Sequence, residues 1–180
     1  PVDKEDFFHI VSCSNMVPLK RLNLIVAALR LIDKRIRWTH IGYGPEMKSI
    51  SDSVRELPSN INVILTGAKS NKEVIDFYQH NHIDLFVNVS ETEGVPVSIM
   101  EALSCGIPVL ATNVGGTGEI VDNNVGELVD KDISATELAR KILRFYNCDD
   151  MSMYRNKATE RWKQLCDAEK NYYELCQILK

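Results

Sequence analysis

Ile83-Asp84-Leu85-Phe86-Val87-Asn88-Val89 runs into Ser90-Glu91-Thr92-Glu93-Gly94, then into a segment that opens on Pro96 and closes on Cys105-Gly106, then into Ile107-Pro108-Val109-Leu110-Ala111-Thr112. The first stretch is almost continuously apolar, as a strand covered on both faces must be. Pro96 suits the first turn of a helix, where a missing N–H costs nothing, and Gly106 suits a C-terminal cap. The reading is strand, polar loop, helix over 96–105, strand over 107–112. Strands joined by a helical crossover pair in parallel.

The same unit recurs on either side. Strands are expected over 7–13, 36–41 and 61–65. Helices are expected over 19–32, where Leu22, Ile25, Val26, Leu29 and Ile32 keep a helical spacing, and over 46–57 and 71–80. Downstream, Gly115-Gly116-Thr117-Gly118-Glu119 is a glycine-rich turn into a short helix. A last strand covers 125–129, and helices cover 134–146, 149–165 and 167–179. This alternation predicts an α/β fold: a Rossmann-like parallel sheet of about six strands, helices on both faces, and a helical tail from residue 149. Such sheets bind ligands outside the carboxyl ends of their strands. The loops 14–20, 42–45, 66–70, 90–96 and 113–119 therefore share one rim.

The 180 residues fit one domain, 1–180, and 44 % apolar with 26 % charged residues is a globular balance. A formal net charge of −4 disfavours nucleic acid as a partner. No apolar run reaches the roughly 18 residues of a membrane span, and no signal-peptide pattern is visible. The chain begins at Pro1, which reads as a cut at a domain boundary. The five cysteines, Cys13, Cys105, Cys148, Cys166 and Cys176, include no Cys-x-x-Cys pair, so free thiols in a reducing cytosol are expected. His80 and His82 have no third ligand at a suggestive spacing, and no metal is expected. Gly42-Tyr43-Gly44 lacks the third glycine of a dinucleotide fingerprint, because Met47 stands there. A phospho-acceptor receiver would need acidic residues after the first strand and Asp after the third. Those strands end in Cys13-Ser14-Asn15 and Thr66-Gly67, which excludes it.

Glu93 and Glu101 carry more. Glu93 lies in the loop that opens a helix, and Glu101 lies about two turns into it. A helix N-terminus binds phosphate through free N–H groups and its dipole. Carboxylates accept from vicinal hydroxyls. A nucleoside–diphosphate–sugar laid along this helix would meet both carboxylates. On spacing alone, a Glu favoured by the helix dipole and a second, solvated Glu is the readier account.

The run from Ser90 to Val121 resembles the donor-site signature of family-4 type retaining glycosyltransferases with the GT-B fold. The matching residues are Glu93, Glu101, Ala102, Cys105-Gly106-Ile107-Pro108-Val109 and Gly115-Gly116-Thr117-Gly118-Glu119. Ile41-Gly42-Tyr43-Gly44-Pro45-Glu46 resembles the family's Gly-x-Gly-Pro turn, Val63 to Gly67 its base-binding strand end, and Val17-Pro18-Leu19-Lys20-Arg21 its Pro-x-Lys turn. The resemblance covers nearly the whole chain and corresponds to the C-terminal, donor-binding half of such an enzyme, with the N-terminal acceptor domain absent.

By that resemblance Glu93 is the catalytic carboxylate facing the transferred sugar, and Glu101 holds the ribose hydroxyls. Backbone N–H groups near Gly94, Val95, Val97 and Ser98 hold the diphosphate with Lys20. Thr66, Gly67 and Ala68 border the base. Asn15 stands where the family commonly has an arginine on the diphosphate, and Cys166 where an aromatic residue is common. The implied function is transfer of a hexose from a nucleotide-diphosphate sugar in polysaccharide or glycolipid synthesis. The implied setting is cytoplasmic, at most at the inner face of the membrane, where any contact falls to the missing half. The alternatives are half of a nucleotide-sugar isomerase (epimerase) and a degenerate sugar-nucleotide binder. No cofactor or metal is expected.

Overall fold

The computed structural model describes residues 7–178. Its six strands are β1 (Phe8–Cys13), β2 (Ile36–Ile41), β3 (Ile61–Leu65), β4 (Leu85–Asn88), β5 (Val109–Thr112) and β6 (Gly126–Val129). They pair in the order β3-β2-β1-β4-β5-β6, and every ladder is parallel. The winding reverses between β1 and β4, so a crevice opens at their carboxyl ends. That seam is also the narrowest ladder. β1 and β4 match at two positions, Ile10 with Leu85 and Val11 with Phe86, against six between β1 and β2.

Helices α1 (Leu22–Leu29), α2 (Met47–Val54) and α6 (Ala135–Tyr146) cover one face, where Ile25, Ile50 and Ile142 pack on Ile10 and Trp38. Helices α3 (Asn71–His80), α4 (Val97–Ser104), α5 (Thr117–Ile120) and α7 (Met151–Leu165) cover the other, where Val74, Ile99, Ile120 and Ala158 pack on Val11 and Phe86. Burial on both faces explains the mainly apolar character of the central strands β4 and β5. Helix α8 (Ala168–Ile178) follows, with Tyr172 and Tyr173 largely exposed. Leu179, part of the expected apolar tail, lies outside the described residues. No helix among the described residues is long and apolar enough to cross a membrane.

Two elements differ from expectation in ways that matter. The helix expected over 19–32 is broken. Pro18–Lys20 forms one 3₁₀ turn, Arg21 turns left-handed at φ 47°, and α1 starts only at Leu22. The strand expected over 83–89 shrinks to Leu85–Asn88. At its entry the Asp84 carboxylate accepts the His9 N–H at 2.8 Å. At its exit the Val89 carbonyl accepts from Arg21 Nε at 2.6 Å. Side chains thus take over backbone partners at both ends.

At the amino end of the sheet, Asp84 also pairs with His82 Nε2 at 3.0 Å, while Arg155 of α7 donates to the Ile83 carbonyl. His80 points to its own helix, with Nδ1 donating to the Asp76 carbonyl at 2.7 Å. The two histidines serve separate partners. Among the described residues no group of three His, Cys, Asp or Glu could hold a metal.

Candidate functional site

Loops from the carboxyl ends of β1 to β4 converge on a cleft of about 370 Å³. The β1 loop brings Asn15 and Lys20, the β2 loop Tyr43, the β3 loop Ala68 and Lys69, and the β4 loop Glu93. The first turns of α4 add Val97, Ser98 and Glu101. Val97 and Glu101 are four residues apart and so share a helix face.

Glu93 is anchored from two sides. Its Oε1 accepts from Lys20 Nζ at 2.6 Å and from Asn88 Nδ2 at 3.0 Å. Asn88 Oδ1 also accepts the Ser90 N–H at 3.0 Å, and Thr112 Oγ1 donates to the Ser90 carbonyl at 2.6 Å. Burial pushes the Glu93 carboxyl up. Hydrogen bonds from Lys20, Ser90 and Asn88, with the Lys20 charge, outweigh it and hold the group below the ordinary carboxylate range. Glu101 goes the other way: burial raises its carboxyl, and the hydrogen bond from Asn71 Nδ2 offsets only part of the rise. One cleft therefore holds two carboxylates whose surroundings push their titrations apart.

The glycine turn after β5 supports this loop from behind. Gly115 has φ +52°, and a Cβ there would meet the Glu93 carbonyl. The Gly116 N–H donates to the Gly94 carbonyl at 2.8 Å. Gly94 and Val95 are thereby held beside the cleft rather than in its wall. On the opposite side the Gly42 N–H donates to the Gly67 carbonyl at 2.9 Å, and Thr66 Oγ1 donates to the same oxygen at 3.0 Å. That bridge occupies Thr66 and Gly67, and of the three residues expected at the base only Ala68 reaches the wall.

α4 is capped differently from its neighbours. Ser70, Ser134 and Asp150 accept backbone N–H groups at the starts of α3, α6 and α7. The N-cap of α4 is Pro96, with no side-chain hydrogen bond. Its first-turn N–H groups, at Val97 and Ser98, have no acceptor within the helix and open on the cleft.

Beneath the floor lies a buried relay. Trp38 Nε1 donates to Ser12 Oγ at 2.9 Å, and Ser12 Oγ lies 2.8 Å from His40 Nδ1. His40 Nε2 meets the Ser14 carbonyl, an acceptor only, at 3.2 Å. The proton therefore sits on Nε2, and Nδ1 accepts from Ser12. Burial first, against the Ser14 hydrogen bond, lowers the His40 pKa to about 4. The neutral ring fixes Ser14, beside Asn15 in the cleft wall. Cys13, also in the wall, is no nucleophile: burial, then the Glu101 charge, pushes its thiol up to about 11. All five cysteines are free thiols.

A smaller depression between α7 and the segment after α5 holds Asp122, Lys157, Glu160 and Arg161. Those charges pair with each other, Lys157 with Glu160 at 2.8 Å and Arg161 with Asp122 at 3.8 Å. None of the loops from β1 to β4 reaches it. Sequence reading missed Asn88, Asn71, Tyr43 and Lys69 at the main cleft. The last two lie inside the strand-end loops already marked by position. Asn71 follows Ser70, the cap of α3. Asn88 carried no signal beyond its place at a strand end.

Residues 2–162 match the family model of glycosyl transferases group 1, and the chain belongs to that family. It is similar to an uncharacterised glycosyltransferase of Methanocaldococcus jannaschii, 32 % identical over 75 % of this chain and 37 % of that protein. It is also similar to the amylovoran biosynthesis glycosyltransferase AmsK of Erwinia amylovora, 26 % identical over 76 % of this chain and 35 % of that one. The crystal structure of Anabaena HepE in complex with UDP and glucose shares the fold. Its TM-score is 0.82 at 21 % identity, covering 97 % of this chain and 48 % of HepE. The chain thus spans little more than a third of the length of these two curated relatives. Nothing in the family match or these relatives supports the isomerase alternative.

Proposed function

We propose that the chain is the donor-binding half of a hexosyltransferase that takes a sugar from a nucleotide-diphosphate sugar, with UDP as the nucleotide. The Lys20–Glu93 pair carries the reading, because it stands at the sheet's reversal point beside the uncapped start of α4. In transfer the bond between the anomeric carbon and the diphosphate breaks, and negative charge grows on the departing phosphate. Lys20 and the first N–H groups of α4 would stabilise that charge. Glu93 would face the sugar, Glu101 the ribose hydroxyls and Ala68 the base. UDP and glucose in HepE support the choice of nucleotide. The acceptor, on a growing polysaccharide or glycolipid, would be held by a second domain of a longer cytoplasmic enzyme. Any contact with a membrane surface would fall to that domain.

Calorimetric titration of the chain with UDP, UDP-glucose and ADP tests this. Saturable binding of UDP is expected. No binding of any of the three up to about 1 mM would remove the reading.

One observation favours a second reading, a sugar-nucleotide binder without turnover. Asn15 gives the cleft wall an amide where a second cation beside Lys20 would help a diphosphate leave. UDP release by the complete enzyme separates the two, since a binder releases none.

A further inference from the structure

Arg21 is the only non-glycine residue with positive φ among the described residues, at φ 47° and ψ 43°. It carries no glycine-like freedom, so something must hold it there. Its guanidinium spans two other segments. Nε donates to the Val89 carbonyl, at the end of β4, and Nη1 donates to the Lys131 carbonyl, after β6, each at 2.6 Å. Nη2 is buried without a hydrogen-bond partner, so the group is inserted between the segments rather than lying on them. The same turn is tied once more to the β4 loop, where the Glu91 N–H donates to the Leu19 carbonyl at 2.8 Å. Between these ties sits Lys20, with Glu93 on its ammonium.

We propose that Arg21 is a positioning residue. Its guanidinium clamp holds the 3₁₀ turn at Pro18–Lys20 against the β4 loop and so sets the Lys20–Glu93 pair. The direction of the peptide after Lys20 is fixed by the left-handed turn, and the turn is fixed by the clamp. The side chain never enters the cleft, so Arg21 acts on a ligand only through Lys20 and Glu93. The consequence for donor binding rests on the proposed function; the clamp itself does not.

The Glu93 carboxyl is titrated by carbon-detected NMR in the 180-residue chain and in Arg21→Gly, Arg21→Lys and Lys20→Met. Glycine adopts the left-handed turn freely, so Arg21→Gly deletes the clamp and leaves the backbone path open. Lys20→Met gives the value for Glu93 without its cation. In Arg21→Gly the carboxyl is expected to titrate above the wild type, close to Lys20→Met. UDP affinity is expected to fall about tenfold. Arg21→Lys keeps the charge without the fork and should give an intermediate value. If Arg21→Gly leaves Glu93 titrating as in the wild type, with or without a lower melting temperature, Arg21 is a brace of the fold alone and the proposal is overturned. Should Arg21→Gly not fold, Arg21→Lys decides by the same titration. If UDP binds none of the four proteins, the donor reading falls, while the Glu93 titration still decides the clamp.

Discussion

A Cβ built on Gly115 stands 1.8 Å from the carbonyl oxygen of Glu93. The turn after β5 is therefore packed straight onto the backbone of the loop that carries the half-buried Glu93 carboxylate. No side chain separates them.

Gly115→Ala forces the two loops apart and places alanine at φ +52°. Overpacking and the left-handed backbone together should cost about 2–4 kcal/mol, read by urea denaturation. Gly94→Ala is the control, because nothing lies within 4 Å of its Cβ position. Its stability should stay within about 0.5 kcal/mol. Equal effects of the two substitutions would mean that the contact is not made in solution.

The two carboxylates should divide the ligand between them. Glu101→Gln removes a charge-assisted acceptor worth about 1.5–3 kcal/mol per hydrogen bond. UDP binding should weaken roughly 10- to 100-fold. Glu93→Gln should leave free UDP almost unaffected and weaken UDP-glucose or its turnover. Calorimetry with both ligands on both variants checks this. Parallel losses for both ligands in both variants would contradict the division.

His40 gives a dependence of stability on pH. Its folded pKa of about 4 lies below the ordinary value of 6.5. The unfolded chain therefore takes up a proton that the folded chain refuses. The stability from the neutral ring is complete above pH 6.5 and is lost as pH falls toward 4, where the folded ring begins to protonate. About 2.5 pH units at about 1.4 kcal/mol each amount to roughly 3–4 kcal/mol. His40→Gln removes the titration and should be less stable at pH 7 but lose less between pH 7 and 4. Denaturation curves at several pH values would show it. Parallel slopes for the two proteins would exclude this role.

Positive charge at the diphosphate is assigned to Lys20 and α4. UDP binding should therefore be the same in excess EDTA as without it, and a tenfold loss in the chelator would refute that assignment. The chain alone, given UDP-glucose and candidate acceptors, should form no glycosidic bond. The assay is chromatography of the acceptor.

Much of the fold was legible because period and punctuation agree locally. The mainly apolar run at Ile83–Val89 states a strand, though not its ends, Pro96 and Gly106 bracket the helix that follows, and repetition of the unit states the parallel sheet. Glu93 and Glu101 were legible because one loop and one helix hold both. What sequence did not show depends on distant residues. Lys20 and Glu93 are 73 positions apart, and nothing near either one announces the pairing. Asn71 and Glu101 meet across 30 positions, from different helices. The left-handed turn at Arg21 was read as helix because its cause is not local. No glycine or asparagine marks it, and the holding groups are carbonyls at Val89 and Lys131.

The two-rung ladder between β1 and β4 bears on how the molecule assembles. The unit from β1 to β3 is built from short-range crossovers, as is the unit from β4 to β6. Joining them means closing the chain across α3 for the fewest backbone bonds of any neighbouring pair in the sheet. The cleft straddles that join, with Lys20 on one unit and Glu93 on the other. A molecule bound in the cleft acts as a rivet between half-sheets. It should slow their parting during unfolding and leave the rate of folding almost unchanged, because the cleft does not exist until the halves have met.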